Sequence, residues 1–265
     1  MPTRILGILN LTRDSYSDGG RFMEPEVALQ HARALRAAGA AMIDVGAQST
    51  HPDAELVGVE EELRRLEPVV AALLAEGARV SVDTFEPLVM WRMLELGVHA
   101  INDVSALRTP GALEALSRAR CEVILMHSSS STARAETSAR VSSDWIGRVR
   151  AFFEERITAC ERAGIARRRL ILDPGMGLFL SSDPRPSFEV LRRLAELRDL
   201  GLPLCVGVSR KSFLGAELGR GVAERGAATL AAEMWCAQRG VEWLRTHDVR
   251  ATSDALRTLA AIEGA

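Results

Sequence analysis

Eight short apolar runs recur along the chain, separated by longer stretches of helical period. The runs are Arg4 to Asn10, Ala41 to Ala47, Arg79 to Thr84, Ala100 to Val104, Glu122 to His127, Arg169 to Pro174, Leu204 to Ser209 and Glu242 to His247. Between them Val59, Leu63, Leu66, Val70 and Leu73 fall three or four apart, as do Phe188, Leu191, Leu194 and Leu197, the spacing of one helical face. Pro25 suits the first position of the first helix, where its missing N–H costs nothing. Gly39, Gly77, Gly97, Gly164, Gly201 and Gly240 each lie shortly before a run and suit the left-handed residue that ends a helix. Apolar strands alternating with helices predict a parallel sheet covered on its outside. Eight such units in 265 residues predict an α/β fold of the closed (β/α)8 TIM-barrel type rather than an open doubly wound sheet. No Gly-x-Gly-x-x-Gly follows the first run, which argues against dinucleotide binding. No stretch reads as a linker, so residues 1–265 are expected to form one barrel domain.

Charge and cysteine usage narrow the function classes. With 33 basic against 35 acidic residues and a net charge of -2, no basic excess points to nucleic acid. No apolar run approaches the ~18 residues of a membrane span, and no signal segment opens the chain. Cys121, Cys160, Cys205 and Cys236 are scattered without a Cys-x-x-Cys pair, so they read as thiols of a reduced, cytoplasmic protein. The basic residues comprise 32 arginines and one lysine, Lys211; there are two asparagines, Asn10 and Asn102, and one tyrosine, Tyr16. Lysine is a compact point charge where arginine is a bulky planar fork. A lone lysine in so arginine-rich a chain reads either as chance survival or as a site where arginine fails, and its position decides.

Active sites of such barrels form at the C-terminal ends of the strands. The runs end in Asn10, Asp83, Asn102 with Asp103, His127, Asp173, Ser209-Arg210-Lys211, and Arg245 with His247, while the second passes through Asp44. Both asparagines and the only lysine meet on one rim, which favours a functional Lys211. Carboxylates accept from ring N–H and amino groups, and an amide both donates and accepts. Asp83, Asn102, Asp173 and Lys211 therefore suit a flat heterocycle of pterin or purine type; the bland alternative is that the carboxylates bond loop amides. Arg245 and His247, two apart on a strand, are expected to point the same way and to clamp a phosphate or pyrophosphate. His127 stands equally as a ligand or a core histidine, and His31 and His99 are expected to do no chemistry. Two polar loops, Thr12 to Gly20 with Asp14 and Tyr16, and Gln48 to Asp53 with Thr50 and His51, are placed to cover the site. Ser128 to Ser143 and Ser181 to Ser187 read as further barrel loops.

The segment from Gly7 to Gly20 resembles the opening of dihydropteroate synthases. So do Ser81 to Thr84, Ile101 to Val104, Leu125 to His127, Leu172 to Gly175, Ser209 to Gly215 and Arg245 to His247. The match is in order and spans essentially the whole chain. It implies a barrel that joins 6-hydroxymethyl-7,8-dihydropterin pyrophosphate to 4-aminobenzoate, releasing pyrophosphate. By the same resemblance Asp83, Asn102, Asp173 and Lys211 hold the pterin, and Asn10, Arg245 and His247 hold the pyrophosphate with Mg2+, Asn10 being the metal's ligand. Ser212, Lys211, Thr50 and His51 meet the aminobenzoate. Asp14, with Asp83, Asp173 and Lys211, completes the expected catalytic set. The resemblance also implies a homodimer through the last helices, although Ala227, Ala231, Met234 and Trp235 are expected to pack on the barrel.

Four short stretches depart from the common family pattern. Arg13 stands for proline, Ala47-Gln48 for Gly-Glu, His51 for arginine and Leu178-Phe179-Leu180 for Phe-Gly-Lys. Ser49 to Ala54, Met126 to Ser128 and Leu170 to Gly177 look more like the branch containing the sulfonamide-resistance synthases. Normal synthase activity with an altered aminobenzoate pocket is the expectation, and membership alone does not imply sulfonamide sensitivity. The rivals are a corrinoid-linked pterin methyltransferase barrel, which would not need the pyrophosphate clamp, and a synthase-like paralogue that binds pterin without coupling it.

Overall fold

The structure, a computed structural model, describes residues 3–12, 24–48, 57–130 and 144–264. Among them run eight strands: β1 (Arg4–Asn10), β2 (Met42–Gly46), β3 (Val80–Asp83), β4 (Ala100–Asp103), β5 (Glu122–Met126), β6 (Leu170–Asp173), β7 (Cys205–Val206) and β8 (Trp243–Thr246). The described α-helices are α1 (Pro25–Ala37), α2 (Val59–Ala75), α3 (Pro87–Leu96), α4 (Ala112–Ser117), α5 (Trp145–Arg162), α6 (Arg185–Arg192), α7 (Ser212–Leu218), α8 (Gly226–Ala237) and α9 (Val249–Glu263). The strands are parallel and pair in the order β6-β5-β4-β3-β2-β1-β8-β7. A parallel bridge between Leu172 and Leu204 joins the two ends, and the Leu172 N–H donates to the Pro203 carbonyl at 2.9 Å. The sheet thus curls into the expected barrel.

Strand side chains alternate between two faces, and the alternation sorts them here into two cores. Ile43, Val45, Val80, Val82, Val123 and Leu125 belong to the large cluster between strands and helices. Leu6, Met42, Ala100, Ile124, Ile171, Cys205 and Trp243 form a separate buried cluster, the apolar plug inside the barrel. The Arg4 guanidinium lies over the Trp243 ring at 3.9 Å. Above the plug, the same inward parity brings up Asp44 and Arg245, then Asn10, Asp83, Asn102, Asp173 and His247. Register sets their levels: Asp83 pairs with Asn102 and Asp173 with Met126.

Pro25 occupies the first turn of α1, and all six glycines expected to end helices have positive φ, from 68° to 110°. Three expectations need correction. The periodic stretch from Phe188 to Leu197 is split, α6 ending at Arg192 and a tighter 3-10 turn, Leu194–Leu200, following. β7 spans two residues rather than six. The reading of Ala227, Ala231, Met234 and Trp235 as barrel-packed holds only for Met234, which is half-buried against the core. Ala227, Ala231 and Trp235 are exposed, because the stripe of α8 that meets the barrel is Thr229, Glu233 and Cys236. No described helix is long and apolar enough to cross a membrane, and all four cysteines are free.

Candidate active site

A cleft of about 1040 Å³, counted to its open mouth, lies at the C-terminal ends of the strands. Asn10, Asp83, Asn102, Asp173, Lys211, Ser212, Arg245 and His247 all line it, so every expected site residue among those described reaches one cavity. Asp14, Thr50 and His51, with the altered Arg13, lie outside the described residues.

The floor is an ionic network. Asp44 is fully buried and its Oδ2 accepts from Arg245 Nε at 2.6 Å and from Asn102 Nδ2 at 3.0 Å. Arg245 Nη2 donates to Asp83 Oδ2 at 2.8 Å. Burial opposes the charge on Arg245, but the two carboxylates outweigh it and hold the guanidinium ionised. Arg245 and His247 both face the cleft, as expected, Arg245 turned down to two carboxylates and His247 sideways to Ser209. Asp44 is the residue that sequence reasoning passed over. Its signal was available, since Asp44 sits two before Gly46, which pairs with Asp83, and therefore points inward one level below the rim.

The upper level has acceptors in excess. Asn102 Oδ1 is buried without a partner. Burial, opposed by Arg245 and reinforced by Asp44, pushes the Asp83 carboxyl up to about 7. Burial also raises Asp173, whose Oδ1 accepts from the Gly175 N–H at 2.8 Å. Val104, Met126 and Phe179 form a small apolar cluster beside these groups. Flat apolar walls with carboxyl and amide acceptors fit a heterocycle that carries several N–H donors.

Lys211 enters through a strained turn. Arg210 has φ of 55°, a left-handed conformation that costs about 1–3 kcal/mol for such a residue. It is held because its N–H donates to Thr229 Oγ1 at 3.0 Å and its carbonyl accepts from Arg225 Nη1 at 2.9 Å. The turn brings Lys211 Nζ to 3.4 Å from the Met176 carbonyl and 4.6 Å from the centre of the Phe179 ring. Burial pulls the ammonium down to about 8, with Asp173 opposing. Gly177 keeps the neighbouring wall thin: its φ is 65°, and a Cβ there would press on Ser212 Oγ at 3.2 Å.

His247 Nδ1 lies 2.9 Å from Ser209 Oγ, and burial with nearby Arg245 drives the ring down to about 3, so it is neutral. His127 resolves as a core histidine. It is buried, packs edge-on to Phe152 at 4.9 Å, does not line the cleft and is driven down to about 4 by burial. Of the altered positions, Gln48, Leu178 and Phe179 line the cleft, while Leu180 is buried in the outer core. Gln48 Nε2 donates to the Val57 carbonyl at 2.5 Å and to Glu62 Oε2 at 3.1 Å, and its Oε1 accepts from the Val57 N–H. Asp103 is structural: fully buried, it accepts from the Ser105 and Leu107 N–H groups.

Residues 6–247 match the family of pterin binding enzymes. The chain belongs to this family, among the dihydropteroate synthases. It is 43% identical to the Escherichia coli dihydropteroate synthase type-3 over 98% of this chain and 99% of that protein. It is 41% identical to the dihydropteroate synthase of Escherichia coli strain K12, over 97% and 90%. The Yersinia pestis dihydropteroate synthase in a sulfonamide drug complex superposes with a TM-score of 0.94 at 37% identity, covering 100% of this chain and 95% of that one. The Xanthomonas albilineans dihydropteroate synthase with 4-aminobenzoic acid gives 0.91 at 42% identity, covering 100% and 94%. The dihydropteroate synthase likeness covers the rim as well as the barrel, because the match runs from β1 to His247.

Proposed function

We propose a division of labour on this rim for the reaction the chain catalyses as a dihydropteroate synthase, the joining of 6-hydroxymethyl-7,8-dihydropterin pyrophosphate to 4-aminobenzoate. The observation that carries it is the gathering of Asp83, Asn102, Asp173 and the lone Lys211 around one flat slot. Asp83, Asn102 Oδ1 and Asp173 accept from the pterin N–H and amino groups. Lys211 donates to a pterin oxygen or nitrogen and neutralises the carboxylates around it. The methylene C–O bond breaks with its electron pair leaving on the pyrophosphate, and the amine nitrogen of aminobenzoate supplies the pair for the new C–N bond, then loses a proton. An arylamine is neutral near pH 7, so no strong base is required. His247 donates to the leaving pyrophosphate, and Arg245, whose Nη1 makes no hydrogen bond among the described residues, adds positive charge from below. Ser212, with Lys211, meets the aminobenzoate carboxylate; Asp14, Thr50 and His51 complete the site from the two loops.

Mg2+ fits as a partner of Asn10. Among the described residues no cluster of three or more His, Cys, Asp or Glu could hold a metal, but Mg2+ retains waters and binds substrate phosphates with few protein ligands. Asn10 lines the cleft, and beside it Thr12 Oγ1 is buried without a partner, so an amide oxygen and a hydroxyl face the same end. When bound, the ion supplies positive charge to the pyrophosphate oxygens. The exposed stripe of Ala227, Ala231 and Trp235 supports a homodimer, and the free thiols support a cytoplasmic setting. The test is steady-state kinetics of Asn10→Ala and His247→Ala. We expect a raised KM for the pterin pyrophosphate with little change for aminobenzoate, and for Asn10→Ala a weaker dependence on added Mg2+. Unchanged KM values in both would remove the assignment of that end of the cleft.

A further inference from the structure

The face that α8 turns to the barrel carries a carboxyl that the reaction does not use. Glu233 is 1% exposed. Its Oε2 accepts from Thr252 Oγ1 of α9 at 2.7 Å, while its Oε1 has no partner. Thr252 Oγ1 lies 3.4 Å from Thr246 Oγ1 at the end of β8 and 2.9 Å from the Asp248 carbonyl, which competes for its proton, and Thr246 Oγ1 lies 3.4 Å from Ser209 Oγ. Ser209 Oγ in turn lies 2.9 Å from His247 Nδ1 and accepts from the His247 backbone N–H at 3.3 Å. Thr246 and Thr252 are buried to within 1%. A continuous chain of hydroxyls therefore runs from a buried carboxyl to the imidazole on the cleft wall.

We propose that Glu233 is a positioning residue that selects, through Thr252, Thr246 and Ser209, the tautomer His247 presents to the cleft. The inference rests on the reading of His247 as a donor to the pyrophosphate. Because His247 is neutral, it donates from Nε2 only when Nδ1 is the bare nitrogen. Each hydroxyl has one proton to give and two acceptor positions, so the chain has two consistent directions. With Glu233 protonated, the carboxyl donates to Thr252, Thr252 to Thr246, Thr246 to Ser209 and Ser209 to Nδ1; the imidazole proton then sits on Nε2, facing the cleft. With Glu233 ionised, both threonine hydroxyls turn toward the carboxylate. Ser209 then donates to Thr246 and accepts from Nδ1–H, which leaves a bare Nε2 lone pair facing an anion. One proton leaves the carboxyl, and the imidazole proton moves from Nε2 to Nδ1 by exchange with solvent.

Burial of the carboxyl favours the donating arrangement below neutrality. Burial raises Glu233 to about 7; the Thr252 and Thr246 hydroxyls oppose this and Asp248, at the head of α9, reinforces it. Cys236 on the same helix is pushed up by burial and stays a thiol. Around His247 stand Arg245 on its own strand, Arg210 and Lys211 after β7, and His31 on α1, all of which disfavour a second proton on the ring.

The test reads the His247 tautomer directly, by two-bond 1H–15N correlation on protein labelled in histidine, at pH 6 and pH 8.5. We expect the Nε2–H tautomer at pH 6 and a shift toward Nδ1–H at pH 8.5. In Glu233→Gln, which cannot ionise, and in Thr246→Val, which cuts the chain while keeping its shape, the tautomer should no longer follow pH. The KM for dihydropterin pyrophosphate should rise roughly tenfold over the same interval, the effect of losing one hydrogen bond to a charged group, and Glu233→Gln should abolish most of that rise. A tautomer that stays the same across the interval, or follows pH equally in Glu233→Gln, would overturn the proposal. His247→Ala separates the two readings: if it leaves KM unchanged, the pyrophosphate role fails, whereas the tautomer measurement still decides the part played by Glu233.

Discussion

Asp44→Asn isolates the charge at the floor of the cleft from its shape. The substitution is nearly isosteric, and the side chain is fully buried. The amide that replaces the carboxylate can keep an oxygen where Arg245 Nε and Asn102 Nδ2 now donate, but both bonds then run to a neutral acceptor and weaken by about 1 kcal/mol each. Its NH2 group falls on the position of Asp44 Oδ1, which has no partner among the described residues; an unsatisfied buried donor adds about 1–3 kcal/mol. The sum, about 3–5 kcal/mol, matches the usual cost of breaking a buried ion pair. At about 2–4 °C per kcal/mol for a chain of this size, Tm should fall by roughly 10 °C. The change also reaches the rim. Asp44 is one of the charges that raise Asp83, whereas Arg245 lowers it; with the charge at position 44 removed, Asp83 should titrate below its present value of about 7. Calorimetry gives the first quantity, and 13C titration of the Asp83 carboxyl gives the second. A Tm within 2 °C of the parent (the resolution that ~0.5–1 kcal/mol implies) together with an unmoved Asp83 would refute the network as described.

Three further outcomes follow from the same geometry. Gln48→Glu, which restores the family's usual acid, should destabilise the protein by about 2 kcal/mol at pH 8. It removes the donor to the Val57 carbonyl and sets a second carboxylate against Glu62; urea unfolding at pH 8 and pH 5 should show a smaller loss at pH 5, and equal losses would contradict this. Glu62 is raised from 4.5 to about 7, chiefly by burial, so its stabilising contribution is complete below pH 4.5 and is lost as pH rises through 7. The stability of the parent relative to Glu62→Gln should therefore fall by about 3 kcal/mol across that window, and a flat difference would count against it. Gly175→Ala puts a Cβ at φ of 66° against the His127 carbonyl oxygen; it should cost at least about 2 kcal/mol and weaken pterin binding, since the Gly175 N–H anchors Asp173. Calorimetric titration with the pterin substrate checks the second part, and parental affinity would refute it.

What was legible in the sequence followed from periodicity and from rare residues. Strand alternation gave the eight units and sent Asn10, Asn102, Asp173 and Lys211 to one rim, where they stand. Contacts between distant elements were hidden. Nothing local tells that Arg245 turns down to Asp44, 201 residues away, rather than outward beside His247. Asp44 was passed over because it ends no run, although inward parity marks it. The polar stripe of α8 carries no signal among the alanines around it: Thr229 and Glu233 take on meaning only once Arg210 and Thr252 supply their partners. His127, left open between ligand and core histidine by the sequence, is decided by a contact the sequence does not show, its ring packing edge-on to Phe152.

The central claim is that the cleft around the lone Lys211 binds the pterin whose pyrophosphate is displaced by aminobenzoate. The most direct measurement is pyrophosphate release from the dihydropterin pyrophosphate with Mg2+, with and without 4-aminobenzoate, in the parent and in Lys211→Arg. The account predicts release that requires aminobenzoate in the parent and falls at least about a hundredfold in Lys211→Arg, the ~3 kcal/mol of replacing a point charge beside Asp173 by a bulkier planar fork. Release at parental rates from Lys211→Arg, or pterin binding with no release in the parent, would contradict it.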